Sequence, residues 1–194
     1  MTFSEIEKSR RKLLTVIMNA VGGAGALATA IPFIKSMLPS EKTRVGGRAI
    51  TVDLQRIETG KQETFTWRGK PIWILKRTPR MLAGLEKLEP RLRDPFSKVT
   101  SQQPPYAENL TRSIKQEYFV CIGVCTHLGC VPRFRPETGP PDLGSDWPGG
   151  YFCPCHGSRF DLAGRVYKGV PAPTNLVIPP HQYAGEHEII IGED

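Results

Sequence analysis

Cys125-Thr126-His127-Leu128-Gly129-Cys130 and Cys153-Pro154-Cys155-His156-Gly157-Ser158 are the two stretches on which the reading of this 194-residue chain turns. They hold four of its five cysteines and two of its four histidines. Residues 131–152 between them are rich in Pro and Gly. Each stretch follows an apolar, β-prone segment, Glu117–Val124 and Gly150–Phe152, so both read as loops leaving strands. Cys125-x-His127 and Cys153-x-x-His156 offer two thiolates and two imidazoles, which leaves Cys130 and Cys155, one per loop.

Outward from the loops, residues 48–194 read as one domain of short strands. Ala49–Leu54 alternates, and Glu63–Arg68 and Pro71–Lys76 form a hairpin about Gly69-Lys70. Pro79–Leu88 has helical spacing, with Pro79 opening it. Glu89–Gln116 is polar and proline-bearing and reads as a surface insertion. Gly164–Tyr167, Leu176–Ile178 and Glu188–Ile191 complete the strands. With 19 Gly and 18 Pro, the chain favours a loop-rich antiparallel β domain over a helical one. The net charge of +7 is uneven, +4 over residues 1–47 and +3 over 48–194, and a domain at +3 carries no strong electrostatic case for nucleic acid.

The first 47 residues are different in kind. Ser9-Arg10-Arg11-Lys12 precedes an uncharged run from Leu13 to Ile34, and Lys35 closes it. As a helix this run measures about 33 Å against a hydrocarbon core of about 30 Å. It reads as a retained anchor, helix 13–35, with 1–12 on the cytoplasmic side. The paired arginines resemble a twin-arginine export signal, which places the domain outside the cytoplasm. Ala20, Ala24 and Ala28 share a face suited to close helix packing in lipid. Residues 36–47, with Pro39 and Gly46-Gly47, read as a polar tether.

Three chemistries use the paired loops. A zinc ion takes two Cys and two His, though one intervening residue is a short gap for zinc ligands. Structural disulfides leave both histidines without a role; leftover thiols held close in an exported domain oxidise readily. A mixed-ligand iron–sulfur cluster uses all six residues. The pair Cys-x-His-x-x-Cys and Cys-x-Cys-His-x-Ser resembles the Rieske iron–sulfur proteins. With the anchor, the tether and Gly169-Val170-Pro171-Ala172-Pro173 included, it resembles the bacterial Rieske subunit of the cytochrome bc1 complex.

That resemblance implies a mainly β fold: a transmembrane helix plus a Rieske-type domain, with a cluster-binding subdomain at about 122–173. It implies a [2Fe–2S] cluster with Cys125 and Cys153 on the inner iron and His127 and His156 on the outer one. Cys130–Cys155 becomes the loop disulfide, Leu128 and Gly157 flank the cluster, and Pro171 lies in a third covering loop. Ser158 donates a hydrogen bond to a sulfide, which raises the potential. The family places a Tyr where this chain has Phe160, so one donor to a ligand sulfur is missing. The implied activity is that of ubiquinol–cytochrome c oxidoreductase. His156 takes a proton from ubiquinol at cytochrome b, and the domain moves to deliver the electron to cytochrome c1. The implied setting is a dimeric complex in the bacterial inner membrane, single-pass, with the domain periplasmic.

Other readings are the Rieske small subunit of a periplasmic molybdenum oxidase such as arsenite oxidase, a dioxygenase-type Rieske ferredoxin, and a zinc-stapled binding module. The span and tether count against the first; Cys130, Cys155 and the anchor count against the second. Cys121 reads as a buried small hydrophobe. Trp67 and Trp73 read as core, and His181 as a surface turn residue. Ser158, Asp161 and His156 lack the G-x-S-x-G elbow of a hydrolase.

Overall fold

The computed structural model describes residues 3–38, 40 and 47–192. The chain divides into two compact units, residues 1–45 and 46–194. The first is helix α1, Phe3–Met37. Its apolar window has a mean hydropathy of 1.7 and none of it is buried, so by length and composition it is a candidate membrane span. The helix overruns the expected anchor at both ends, so Ser36 and Met37 of the expected tether are helical. Residues 39 and 41–46 of that tether lie outside the described residues.

The second unit is three antiparallel sheets of three strands each. The first pairs β1 (Ile50–Asp53) with β9 (Glu188–Ile191) and β9 with β8 (His181–Tyr183). The second runs β2 (Gln62–Trp67), β3 (Lys70–Lys76) and β4 (Tyr118–Ile122). The third runs β5 (Arg133–Arg135), β6 (Gly150–Phe152) and β7 (Arg159–Phe160). The β2–β3 turn falls on Arg68-Gly69, not Gly69-Lys70. Both residues take positive φ, 50° and 72°, as a two-residue hairpin turn requires.

β3 and β4 are buried on both faces. Ile72, Ile74, Tyr118, Val120 and Ile122 pack against the first sheet. Trp73, Leu75, Phe119 and Cys121 pack against the third sheet and its loops. Successive strand residues point to opposite faces, so one sheet supplies both cores. It is therefore the platform on which the two loops stand.

Four segments differ from the sequence reading. Helix α2 spans only Pro79–Ala83, capped by Thr78, whose hydroxyl accepts from the Met81 N–H; a 3₁₀ stretch, Glu86–Arg91, follows. Gly84 is the C-cap that closes the regular helix, and Pro90 lies within the 3₁₀ stretch, where it offers no N–H. Gly164–Tyr167 and Leu176–Ile178 are not strands. The first makes only isolated bridges, Phe160–Val166 and Leu92–Tyr167. The second is tied by single bonds, such as Ile122 N–H to the Val177 carbonyl. Residues 89–116 are not merely a surface insertion: Leu92, Ala107, Arg112 and Ser113 are buried, and Arg112 is fully so.

Candidate metal centre

The two loops are built alike. In the first, the Cys125 N–H donates to the Cys130 carbonyl at 2.7 Å and the Gly129 N–H to the Cys125 carbonyl at 3.0 Å. In the second, Cys153 N–H donates to Ser158 at 2.8 Å and Gly157 N–H to Cys153 at 2.9 Å. The fifth residue is a left-handed glycine in both, φ 84° at Gly129 and 76° at Gly157. A Cβ at either would meet no neighbour, so the requirement is conformational, not steric. These tight turns bring each loop's thiol and imidazole to one end of the domain.

Cys125 and Cys153 are both buried, 2% exposed. Their thiols lie within hydrogen-bonding reach of each other. Burial pushes the Cys125 thiol up, while the His127 N–H and the Ser158 hydroxyl, both donating to its sulfur, pull it down. His127 and His156 meet edge to face with ring centroids 4.8 Å apart. The buried Nδ1 of His127 has no hydrogen-bond partner among the described residues. His156 is exposed.

Cys130 and Cys155 form a disulfide that ties the loops, with their Cα atoms 6.7 Å apart. The Cys153 sulfur lies within 4.8 Å of both. A third loop closes over the pair: the Ala172 N–H donates to Ser158 Oγ at 3.1 Å, and Thr126 Oγ1 donates to the Thr174 carbonyl at 2.7 Å. Leu128 is 71% exposed at the tip, and Pro171 is exposed in the third loop.

With Cys130 and Cys155 joined, two neighbouring thiols, a buried orphan imidazole nitrogen and a second imidazole remain. That donor set fits a group taking two thiolates and two neutral nitrogens. Residues 94–180 match the family model described as Rieske [2Fe-2S] domain. Along its whole length the chain is 54% identical to the ubiquinol-cytochrome c reductase iron-sulfur subunit of Allochromatium vinosum, covering 93% of that protein. The chain belongs to the family of ubiquinol–cytochrome c reductase iron–sulfur subunits. The Blastochloris viridis protein of the same name is 41% identical over 96% of this chain and 94% of its own length. The mitochondrial cytochrome b-c1 complex subunit Rieske of Neurospora crassa is 40% identical over 90% of this chain and 67% of its own. The cofactor is accordingly a Rieske-type [2Fe–2S] cluster.

Within this Rieske domain, several residues lay beyond the reach of the sequence. Arg77, Arg112 and Arg165 are buried cations that hold the 89–116 segment against the turn after the second loop. Arg77 donates to the Thr111 and Leu162 carbonyls, and Arg112 to those of Ala163, Gly164 and Leu176. Arg165 pairs with Asp161 at 2.8 Å, both fully buried. An arginine's burial leaves no periodic signature in the sequence. His181 is a correction: it is 2% exposed in β8, its N–H donates to Tyr106 Oη at 2.7 Å, and burial lowers its pKa. Cys121, Trp67 and Trp73 are core, as read.

Proposed function

We propose that this chain takes one electron and one proton from ubiquinol at cytochrome b and delivers the electron to cytochrome c1. The observation that carries the reading is the His127–His156 pair, ring centroids 4.8 Å apart, on the same two loops as two buried and neighbouring thiols. In this reading Cys125, Cys153, His127 and His156 hold the cluster. When bound, the cluster supplies one-electron redox chemistry at a potential that neutral imidazoles raise above that of all-thiolate clusters. His156, exposed at the loop tip, offers its outer ring nitrogen to the quinol hydroxyl and accepts the proton there. Leu128 covers the tip, while Ser158 and Gly157 hold the second loop in shape.

The rest of the chain serves delivery. Residues 13–35 anchor it in the bacterial inner membrane, with 1–12 cytoplasmic and 48–194 periplasmic. Residues 36–47 tether the domain so that it moves between cytochrome b and cytochrome c1 of a dimeric complex. The test is a potentiometric titration of the membrane-bound protein at several pH values, read by EPR. A mixed-ligand [2Fe–2S] signal whose potential falls at alkaline pH is expected, because a ring that binds a proton on reduction favours the reduced form below its pKa. A low, pH-independent potential overturns proton-coupled quinol chemistry, and bound zinc without the signal overturns the cluster.

A further inference from the structure

Beside the second loop opens a basic cavity that the cluster chemistry leaves unused. Arg91, Gly157, Arg159, Tyr167 and Lys168 line it, with the third loop at Gly169–Val170, and its volume is about 460 Å³. Gly157 adjoins the exposed His156, so the cavity opens next to the imidazole that meets redox partners. Three cations face it, and the carboxylate among the described residues that pairs with any of them is Asp146, 2.7 Å from Arg91. Arg159 has no ion pair among the described residues, and Lys168 Nζ donates only to the Pro90 carbonyl. The ring of Tyr167 forms part of the wall and stacks on Trp147.

We propose that this cavity receives a carboxylate on the surface of the protein that accepts the electron, with Arg159 and Lys168 as its ion-pairing groups. The inference rests on the electron-transfer reading above. Opposite charge at a solvated rim steers and orients a partner yet releases it each turnover, as an electron carrier requires. A protein is favoured over a free anion because the first loop, tied to the second by Cys130–Cys155, also exposes Leu128 (71%) and Val131 (54%). A protein surface covers such apolar groups; a small anion does not.

The test uses the assembled complex carrying Arg159→Gln/Lys168→Gln, with the cluster signal and potential recorded by EPR. Electron transfer from the reduced cluster to the acceptor haem should slow by about threefold or more at low ionic strength. The gap should close at about 0.5 M salt, where charges are screened, and Arg159→Lys with Lys168 intact should keep the wild-type rate. A zero-length carbodiimide should cross-link Lys168 to a carboxylate of the acceptor subunit. Unchanged rates with an intact cluster signal overturn the pocket alone, as does a loss that persists at high salt. A Lys168 cross-link to the quinol-binding subunit instead assigns the wrong partner. Inorganic phosphate that binds at the wild-type pocket at constant ionic strength, without slowing transfer, shows a small-anion site and overturns the proposal. A wild-type complex without a Rieske signal overturns the electron-transfer reading as well.

Discussion

Phe160 carries a consequence for potential. It is fully buried in β7, opposite Tyr151, in the same core as both candidate ligand thiols. A phenyl ring fills the space and donates nothing. Restoring a hydroxyl with Phe160→Tyr is expected to raise the cluster potential, by the worth of one hydrogen bond to a charged group. That is about 1.5–3 kcal/mol at most, or roughly 65–130 mV for a one-electron couple. An EPR-monitored titration showing no rise would falsify this. His181 gives a pH prediction. Burial, only partly opposed by its bond to the Pro179 carbonyl, holds its folded pKa below the unfolded value of 6.5. The unfolded chain therefore binds the proton first, and stability falls as pH drops from about 6.5 toward the folded value. Thermal melts at about pH 7.5 and about pH 5.5 should show a smaller loss for His181→Gln than for wild type. Only the first of these roles was legible beforehand. The Ser158–Asp161 stretch showed the missing hydroxyl, but nothing in Pro179-Pro180-His181 signals burial.

At the level of elements, the Asp161–Arg165 turn joins the second loop to the rest of the domain. Asp161 accepts from the Ala163 and Arg165 N–H groups as well as from the Arg165 side chain. Arg165 in turn donates to the Leu85 carbonyl at 2.7 Å, and so fastens the stretch after α2. Asp161→Asn leaves a fully buried guanidinium without its counter-charge. It should cost about 3–5 kcal/mol, read as a lower midpoint in denaturant unfolding of the cluster-loaded protein. A midpoint unchanged from wild type would show that Arg165 is compensated by its carbonyl partners alone. The strands most legible in sequence were those with strong alternation or strongly β-prone runs, β1, β2, β3, β4 and β9. β4 read as an uninterrupted apolar run because each of its faces meets a different core. β5, β7 and β8, of two or three residues each, are too short to show a period, and pairing alone defines them. The converse error has the same cause: Leu176–Ile178 is apolar because it is buried, not because it pairs in a ladder.

Across the whole molecule, the chain joins a span-length helix to a domain held by a disulfide, Cys130–Cys155. A domain that carries a cluster across a membrane must fold and load before it crosses, which is the case for the arginine pair. Arg10→Lys/Arg11→Lys should leave the cluster-loaded domain on the cytoplasmic side, measured by protease accessibility of spheroplasts; normal export would show another route. What the sequence by itself determined is the local chemistry: the span-length apolar helix from its length and lack of charge, the two six-residue loops from their Cys, His and Gly spacing, and from these the cluster type and family. Those signals are short-range, so they survive without coordinates. Tertiary structure alone decided what lies between distant segments. It brought three loops spanning residues 125–173 to one end, buried three arginines between 89–116 and 161–165, and gathered Arg91, Arg159 and Lys168 beside the second loop. Burial and charge clustering depend on contacts between residues far apart in the chain, and no local pattern of residue types encodes them.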